Sequence, residues 1–377
     1  MSTPAERLQA APPSDATIDV STNTRSIAPG TAASSQCHTD SPLKPPSSHT
    51  SPPGWLDIHG HFYPPASDAE RKQKWQAMQD GLFLVPESAT IWEAEPVLQY
   101  LDKAGVQMQM LSNIPRTFRE LQASNNFGAE MVQQHPTRFG LLAAIPTDDV
   151  SNALNEIDRA QSRLHCDGFA VTCCYNGVYL GDRKCDPIWE ELNKRKAIIH
   201  CHPNAYAPGN LGRPSPLIEV AFETCRTVVH MLYEGVFRRY PDITWIFAHT
   251  GGALPALSGR IKLLGAESWV PNPEQLTKEE IKETLGTLYL DTAATAMEES
   301  LGPAVKMVGK THLVYGSDCG VPCSTESTME ENRRCLMSDG VVQGDEVQGI
   351  GTRGWQLFTR AKDRVMKQGD LVQPTGT

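Results

Sequence analysis

The chain has 377 residues, with 34 Lys and Arg against 44 Asp and Glu, a formal net charge of −10 and a sequence pI near 5.6. That length holds one large domain or two average ones and buries a large core. The acidic balance argues against a nucleic acid or an anionic membrane as the main partner, while a local arginine still suits a small anionic substrate.

No run of 18 apolar residues occurs, so no transmembrane helix is expected. The start, Met1-Ser2-Thr3-Pro4-Ala5-Glu6-Arg7, lacks a basic region followed by an apolar one, which predicts no secretory leader and a cytoplasmic location. Several of the ten cysteines, among them Cys173, Cys174, Cys201 and Cys225, sit in apolar or strand-like contexts and read as buried free thiols. Cys319 and Cys323 have no second cysteine pair to make a zinc site with them.

Residues 1–54 are rich in Ser, Thr and Pro, and Pro12-Pro13, Pro45-Pro46 and Pro52-Pro53 interrupt any regular element. Such a segment buries too little apolar surface to offset its ordering entropy and reads as a disordered extension. His38 and His49 lie in it and receive no role. From Trp55 to residue 377, short apolar runs alternate with amphipathic stretches. The predicted strands are Trp55–His61, Val106–Leu111, Phe139–Ile145, Gly168–Cys173, Ala197–His202, Ile243–Ala248, Thr287–Asp291 and His312–Ser317. Between them, helices are predicted at Trp92–Ala104, Phe118–Gln134, Val150–Leu164, Asp186–Lys196, Pro216–Arg239, Leu254–Leu264, Lys278–Leu285 and Met297–Val308. Helices around Thr325–Ser338 and Gly344–Lys367 finish the chain. Eight such alternations predict a (β/α)8 TIM barrel. A doubly wound sheet would want a glycine-rich phosphate loop after its first strand, and none is there.

A barrel places its chemistry at the C-terminal ends of its strands. The first strand ends in His59-Gly60-His61, the fifth in His200-Cys201-His202, the sixth in Ala248-His249 and the eighth in Gly316-Ser317-Asp318. His59 and His61 share a face because side chains alternate along a strand. His202 is nearer the mouth than His200, which reads as a deeper core residue. His135, His165 and His230 lie in or at the ends of helices, and His312 opens the eighth strand at the wrong end for chemistry. His59, His61, His202 and Asp318 form a mixed nitrogen and oxygen set suited to Zn²⁺, with Mn²⁺ as the alternative. His249 is left as an acid/base candidate or a further ligand.

At these residues the chain resembles the amidohydrolase superfamily, and within it the group holding aminocarboxymuconate-semialdehyde decarboxylase and the non-oxidative aromatic acid decarboxylases. The matching pieces are Asp57-Ile58-His59-Gly60-His61, His202-Pro203, Phe247-Ala248-His249-Thr250-Gly251-Gly252-Ala253-Leu254-Pro255 and Tyr315-Gly316-Ser317-Asp318. The resemblance implies that His59, His61, His202 and Asp318 bind the metal and that His249 is the catalytic histidine; in the decarboxylation it suggests, either His249 or Asp318 supplies the proton to the ring carbon. It also implies that Arg260, eleven residues after His249, contacts a substrate carboxylate, often across the interface of a homodimer. The semialdehyde decarboxylases carry another substrate arginine in the loop before the tryptophan matching Trp92. Trp75–Ile91 holds neither Lys nor Arg, which favours a monocarboxylate. The fourth strand lacks the bridging lysine of binuclear hydrolases, and Pro203-Asn204-Ala205 lacks the glutamate of nucleoside deaminases. The expected activity is decarboxylation of an aromatic hydroxy acid of the 6-methylsalicylate or orsellinate kind, in polyketide secondary metabolism. The alternatives are a metal-dependent hydrolase of a lactone or amide and a non-catalytic binding barrel.

Overall fold

Strand β1 (Trp55–His61) pairs in parallel with β2 (Val106–Ser112), and the pairing continues through β3 (Phe139–Ala144), β4 (Gly168–Thr172), β5 (Ile198–His202), β6 (Thr244–Phe247), β7 (Tyr289–Asp291) and β8 (Leu313–Val314). The computed structural model describes residues 54–338 and 340–371, so the disordered extension expected at 1–54 lies outside the described residues but for Gly54. The ring closes between β1 and the end of β8, where Ile58 N–H donates to Tyr315 O (3.0 Å) and His61 N–H to Cys319 O (2.7 Å). The architecture is the expected (β/α)8 barrel.

Most predicted elements appear within a residue or two. Helix α2 (Ala94–Ala104) stops at Gly105, whose φ of 68° is the left-handed cap that glycine adopts without strain. Helices α3 (Phe118–Gln134), α4 (Val150–Ser162) and α5 (Asp186–Lys194) follow β2, β3 and β4. Helix α5 carries its proline in the first turn, where a missing N–H costs nothing.

Several places differ, among them the stretch Gly344–Lys367, which forms two helices parted at Phe358. Helix α1 (Asp68–Asp80) was not foreseen, because it buries only Met78 and so shows no apolar periodicity. Its signal was the capping box, in which Ser67 and Glu70 satisfy each other's backbone N–H groups. The long helix expected at Pro216–Arg239 is a 3₁₀ turn (Ser215–Leu217), α6 (Glu219–Tyr233) and a short α7 (Val236–Arg239), broken at Gly235. The eighth strand is two residues long instead of six, because the chain leaves the sheet to build the site. A small hairpin after β4 pairs Cys174–Tyr175 with Val178–Tyr179 through Asn176-Gly177, both at positive φ as a two-residue hairpin turn requires.

Helices α8 (Leu254–Leu264), α9 (Lys278–Gly286), α10 (Glu298–Val308) and α11 (Glu326–Ser338) complete the outer ring. They and the earlier helices pack on the outward residues of the strands, as where Trp189 of α5 meets Trp245 of β6 at 5.2 Å between ring centroids. Inside the barrel, Leu56 and Ile58 pack with Met108, Met110, Ala170, Ile246 and Val314. Helix α12 (Asp345–Leu357) closes the floor with Trp355, whose indole N–H donates to Gly54 O (2.8 Å) at the start of β1. Helix α13 (Thr359–Leu371) follows it. With the floor filled by apolar side chains, the open mouth is at the C-terminal ends of the strands.

Candidate active site

Leu56 and Ile58 point into the barrel, so strict alternation would put Gly60 inside and both flanking histidines outside. The structure avoids this with a register shift against β2 between Asp57 and Gly60. Such an irregularity re-aims the side chains after it. Buried Asp57 fixes the shift by accepting from His59 N–H (3.0 Å), Ser317 N–H (3.0 Å), Gln109 Nε2 (2.7 Å) and the Ser317 hydroxyl. It thereby ties the first strand to the residue before Asp318. Gly60 leaves room for this network, since a Cβ there would lie 2.2 Å from Cδ of Gln109.

His59, His61, His202 and Asp318 converge at the mouth, one ligand atom from each lying within 4.8 Å of the others. His59 Nε2 and His61 Nε2 are 2.9 Å apart, and each is 3.2 Å from Asp318 Oδ1. His59 Nδ1 donates to Asp291 Oδ2 (2.9 Å) and His202 Nδ1 to Pro203 O (2.7 Å), which turns both Nε2 lone pairs toward one point. His202 Nε2 and Asp318 Oδ1 are buried and have no hydrogen-bond partner. Converging lone pairs and an orphaned carboxylate oxygen repel one another unless a cation sits between them. Burial lowers the His59 pKa, yet Asp291 and Asp318 outweigh it and carry it up to about 10. Burial with the neighbouring His61, His59 and His249 holds His202 well down, and hence neutral. The field therefore favours positive charge at the cluster while burial keeps His61 and His202 as acceptors, and these residues fit a divalent metal.

His249 borders the same space. Its Nε2 is 3.9 Å from Asp318 Oδ2, and its buried Nδ1 has no partner. Both residues sit on strained backbone, with φ of 56° at His249, 51° at Thr250 and 62° at Asp318. Such conformations persist only where surrounding bonds hold them. Asp318 N–H donates to His59 O (2.9 Å), and its Oδ2 accepts from Ser324 Oγ (2.8 Å). His249 N–H donates to Asp291 Oδ1 (2.9 Å).

Asp291 is the residue the sequence reading passed over. It is fully buried at the end of β7; Oδ2 accepts from His59 and His200 (each 2.9 Å), and Oδ1 from His249 N–H and Ala293 N–H. One carboxylate thus orients a metal-facing imidazole and holds the strained loop that carries His249. The signal was present, since Leu290-Asp291-Thr292 also brings a carboxylate to a strand mouth. His200 sits deeper than His202, as expected, and bonds to Asp291. Arg260 is exposed on α8 and borders neither cavity of the single chain.

Two cavities flank His202. The larger, about 630 Å³, is bordered by His249, Ser317 and Asp318 with apolar Leu217, Phe222 and Met329. The smaller, about 220 Å³, is bordered by His61, Tyr63, Tyr206, Arg116 and Glu223. The loop Trp75–Ile91 indeed carries no cation, but the fold supplies others. Lys74 Nζ lies 3.1 Å from the Tyr63 ring centroid, with burial lowering its pKa to about 7, and Arg116 arrives from the segment after β2.

An eight-stranded parallel barrel with three imidazoles and a carboxylate converging at its C-terminal mouth defines the class of metal-dependent barrel enzymes. The model of the amidohydrolase family matches residues 56–340, and the chain belongs to that family. It is 31% identical to "Decarboxylase yanB" of Aspergillus niger over 322 residues, 78% of this chain and 83% of that one. It is 27% identical to "6-methylsalicylic acid decarboxylase acuB" of Aspergillus aculeatus, over 81% of this chain and 96% of that one. Among solved structures, the fold matches a dihydroxybenzoic acid decarboxylase from Polaromonas with bound manganese and 2-nitroresorcinol. The TM-score is 0.67 at 21% identity, over 81% of this chain and 97% of that one.

Proposed function

We propose that the protein is a metal-dependent, non-oxidative decarboxylase of an aromatic hydroxy acid of the 6-methylsalicylate or orsellinate type, acting in polyketide secondary metabolism. The observation that carries this is the convergence of His59, His61, His202 and Asp318 beside a cavity bordered by His249, in a chain akin to the decarboxylases named above. Those four residues would hold the metal, zinc or manganese, which when bound supplies a Lewis acid to the carboxylate and the ortho-hydroxyl of the substrate.

The chain's own groups do the remaining work. Leu217, Phe222 and Met329 give the larger cavity an apolar wall against which an aromatic ring packs. His249 and Asp318 face the ring carbon that bears the carboxylate. A proton passes from His249 to that carbon and breaks the ring's aromaticity. The bond from that carbon to the carboxylate then breaks, its electron pair returns to the ring, and CO₂ leaves. Burial raises the Asp318 carboxyl, but His249, His59 and His61 outweigh it and hold it well below the usual range. It therefore remains an anion that steadies the His249 imidazolium.

Incubation with 6-methylsalicylate or orsellinate is expected to release CO₂ and the matching phenol in equal amounts. A chelator should stop the reaction, and added Mn²⁺ or Zn²⁺ should restore it. Hydrolysis of a lactone or amide with no CO₂ from any aromatic acid would replace this reading with the hydrolase one.

We assign Arg260 to the substrate carboxylate of a second copy in a homodimer. Its exposure on α8 supports this, as do the exposed Leu217, Phe222 and Leu257 on and beside the packed helices α6 and α8. Arg260→Ala is expected to raise KM by about tenfold or more, the loss of a charged hydrogen bond, with metal content unchanged. A monomer in analytical ultracentrifugation, or an unchanged KM, would refute the assignment. No helix among the described residues is long and apolar enough to cross a membrane. The nine free cysteines among the described residues fit a reducing compartment, in support of a cytoplasmic location.

A further inference from the structure

The smaller cavity is bordered by neither His249 nor Asp318, yet it opens directly on the metal-facing residues. His61 and His202 border it, and His202, Ala205, Val321 and Cys323 are common to both cavities. A ring held at the cluster with its reacting carbon toward His249 therefore has a second space on the other side of His202. At about 220 Å³ that space falls below the usual size of a whole ligand site, while the larger, at about 630 Å³, lies within it. It suits a substituent of the ring better than the ring.

Its walls say which substituent. The Arg116 guanidinium makes no hydrogen bond to another described residue, although its charge reaches Glu223. Glu223 is half-buried at the same cavity, and its Oε2 accepts from Asn204 N–H (2.6 Å) while Oε1 has no partner. Burial pushes the Glu223 carboxyl above its usual range. Among the groups bordering the cavity, Arg116 thus offers a spare donor and Glu223 a spare acceptor. A methyl group would leave both unpaired, and a second carboxylate would face Glu223. A hydroxyl donates to one and accepts from the other.

We propose that the smaller cavity is a substituent subsite in which Glu223 and Arg116 recognise a second ring hydroxyl, so that the preferred substrate is a dihydroxy aromatic acid. This rests on the decarboxylase reading above and deepens it. Orsellinate and 6-methylsalicylate differ only by that hydroxyl and make the natural pair of probes.

The wild-type protein is expected to favour orsellinate in kcat/KM by about tenfold, because the analogue lacking the hydroxyl leaves the half-buried Glu223 unpaired. Arg116→Met and Glu223→Leu should each reduce that ratio toward one. A merely structural role would lower both rates and leave the ratio in place. If Glu223→Leu fails to fold, Arg116→Met carries the test, since Arg116 is exposed. The same proteins, loaded with Mn²⁺, are titrated calorimetrically with orcinol and m-cresol, the two phenols without their carboxylates. Preferential binding of orcinol that vanishes in the variants, with no CO₂ from either acid, would keep the subsite and reject the decarboxylase. Decarboxylation of both acids at a ratio that the variants do not move would keep the decarboxylase and overturn the subsite.

Discussion

Asp318→Asn is expected to lower kcat by about 10³-fold or more, a loss of roughly 4 kcal/mol of transition-state stabilisation. Two functions go together in this substitution. Asp318 Oδ1 lies 3.2 Å from both His59 Nε2 and His61 Nε2, so an amide there removes the negative charge of the cluster and weakens metal binding. Asp318 Oδ2 faces His249 at 3.9 Å, so the substitution also withdraws the anion that steadies the imidazolium. Metal content and turnover, measured at rising metal concentration, separate the two. Excess metal should refill the site and leave turnover low; full recovery of turnover would reduce Asp318 to a ligand alone.

His249→Asn should lower kcat by about 10² to 10⁴, the usual range for a positioned acid or base. Metal content should stay at the wild-type level, because His249 is not among the four residues whose ligand atoms converge. Loss of the metal along with activity would make His249 a further ligand, the alternative left open by its place in the sequence. Unchanged kcat would remove it from the reaction. The asparagine keeps the backbone N–H that donates to Asp291 Oδ1, and asparagine tolerates positive φ better than most residues. The strained loop should therefore survive the change.

The fold was largely legible because the strands bury both faces. Each is a short apolar run closed by a turn or a polar residue, and the helices between them carry a clear stripe of period 3.6. Where that logic lapses, the reading lapsed. Helix α1 has almost no buried face, and only its capping box marks it. The helix after β5 looked continuous because its apolar stripe runs past Gly235, whose positive φ breaks it. The end of β8 looked like strand, although Ser317 and Asp318 are drawn off the sheet by Asp57 and by His59 O.

The sequence by itself determined the barrel and the residue types at its mouth, because alternation and strand order are local patterns that map onto one end of a known architecture. His59, His61, His202, His249 and Asp318 could all be named from it. Only the tertiary structure decided how they face. The register shift after Asp57 turns both histidines of β1 inward, and it depends on Gln109 and Ser317, which lie 52 and 260 residues away in the chain. The part played by Asp291, bonded to groups on three other strands or strand ends, is likewise a property of the closed ring. So is the meeting of Arg116 and Glu223 at the smaller cavity. Hydrogen bonds between distant segments leave no period in the sequence, and they decide which side chains meet.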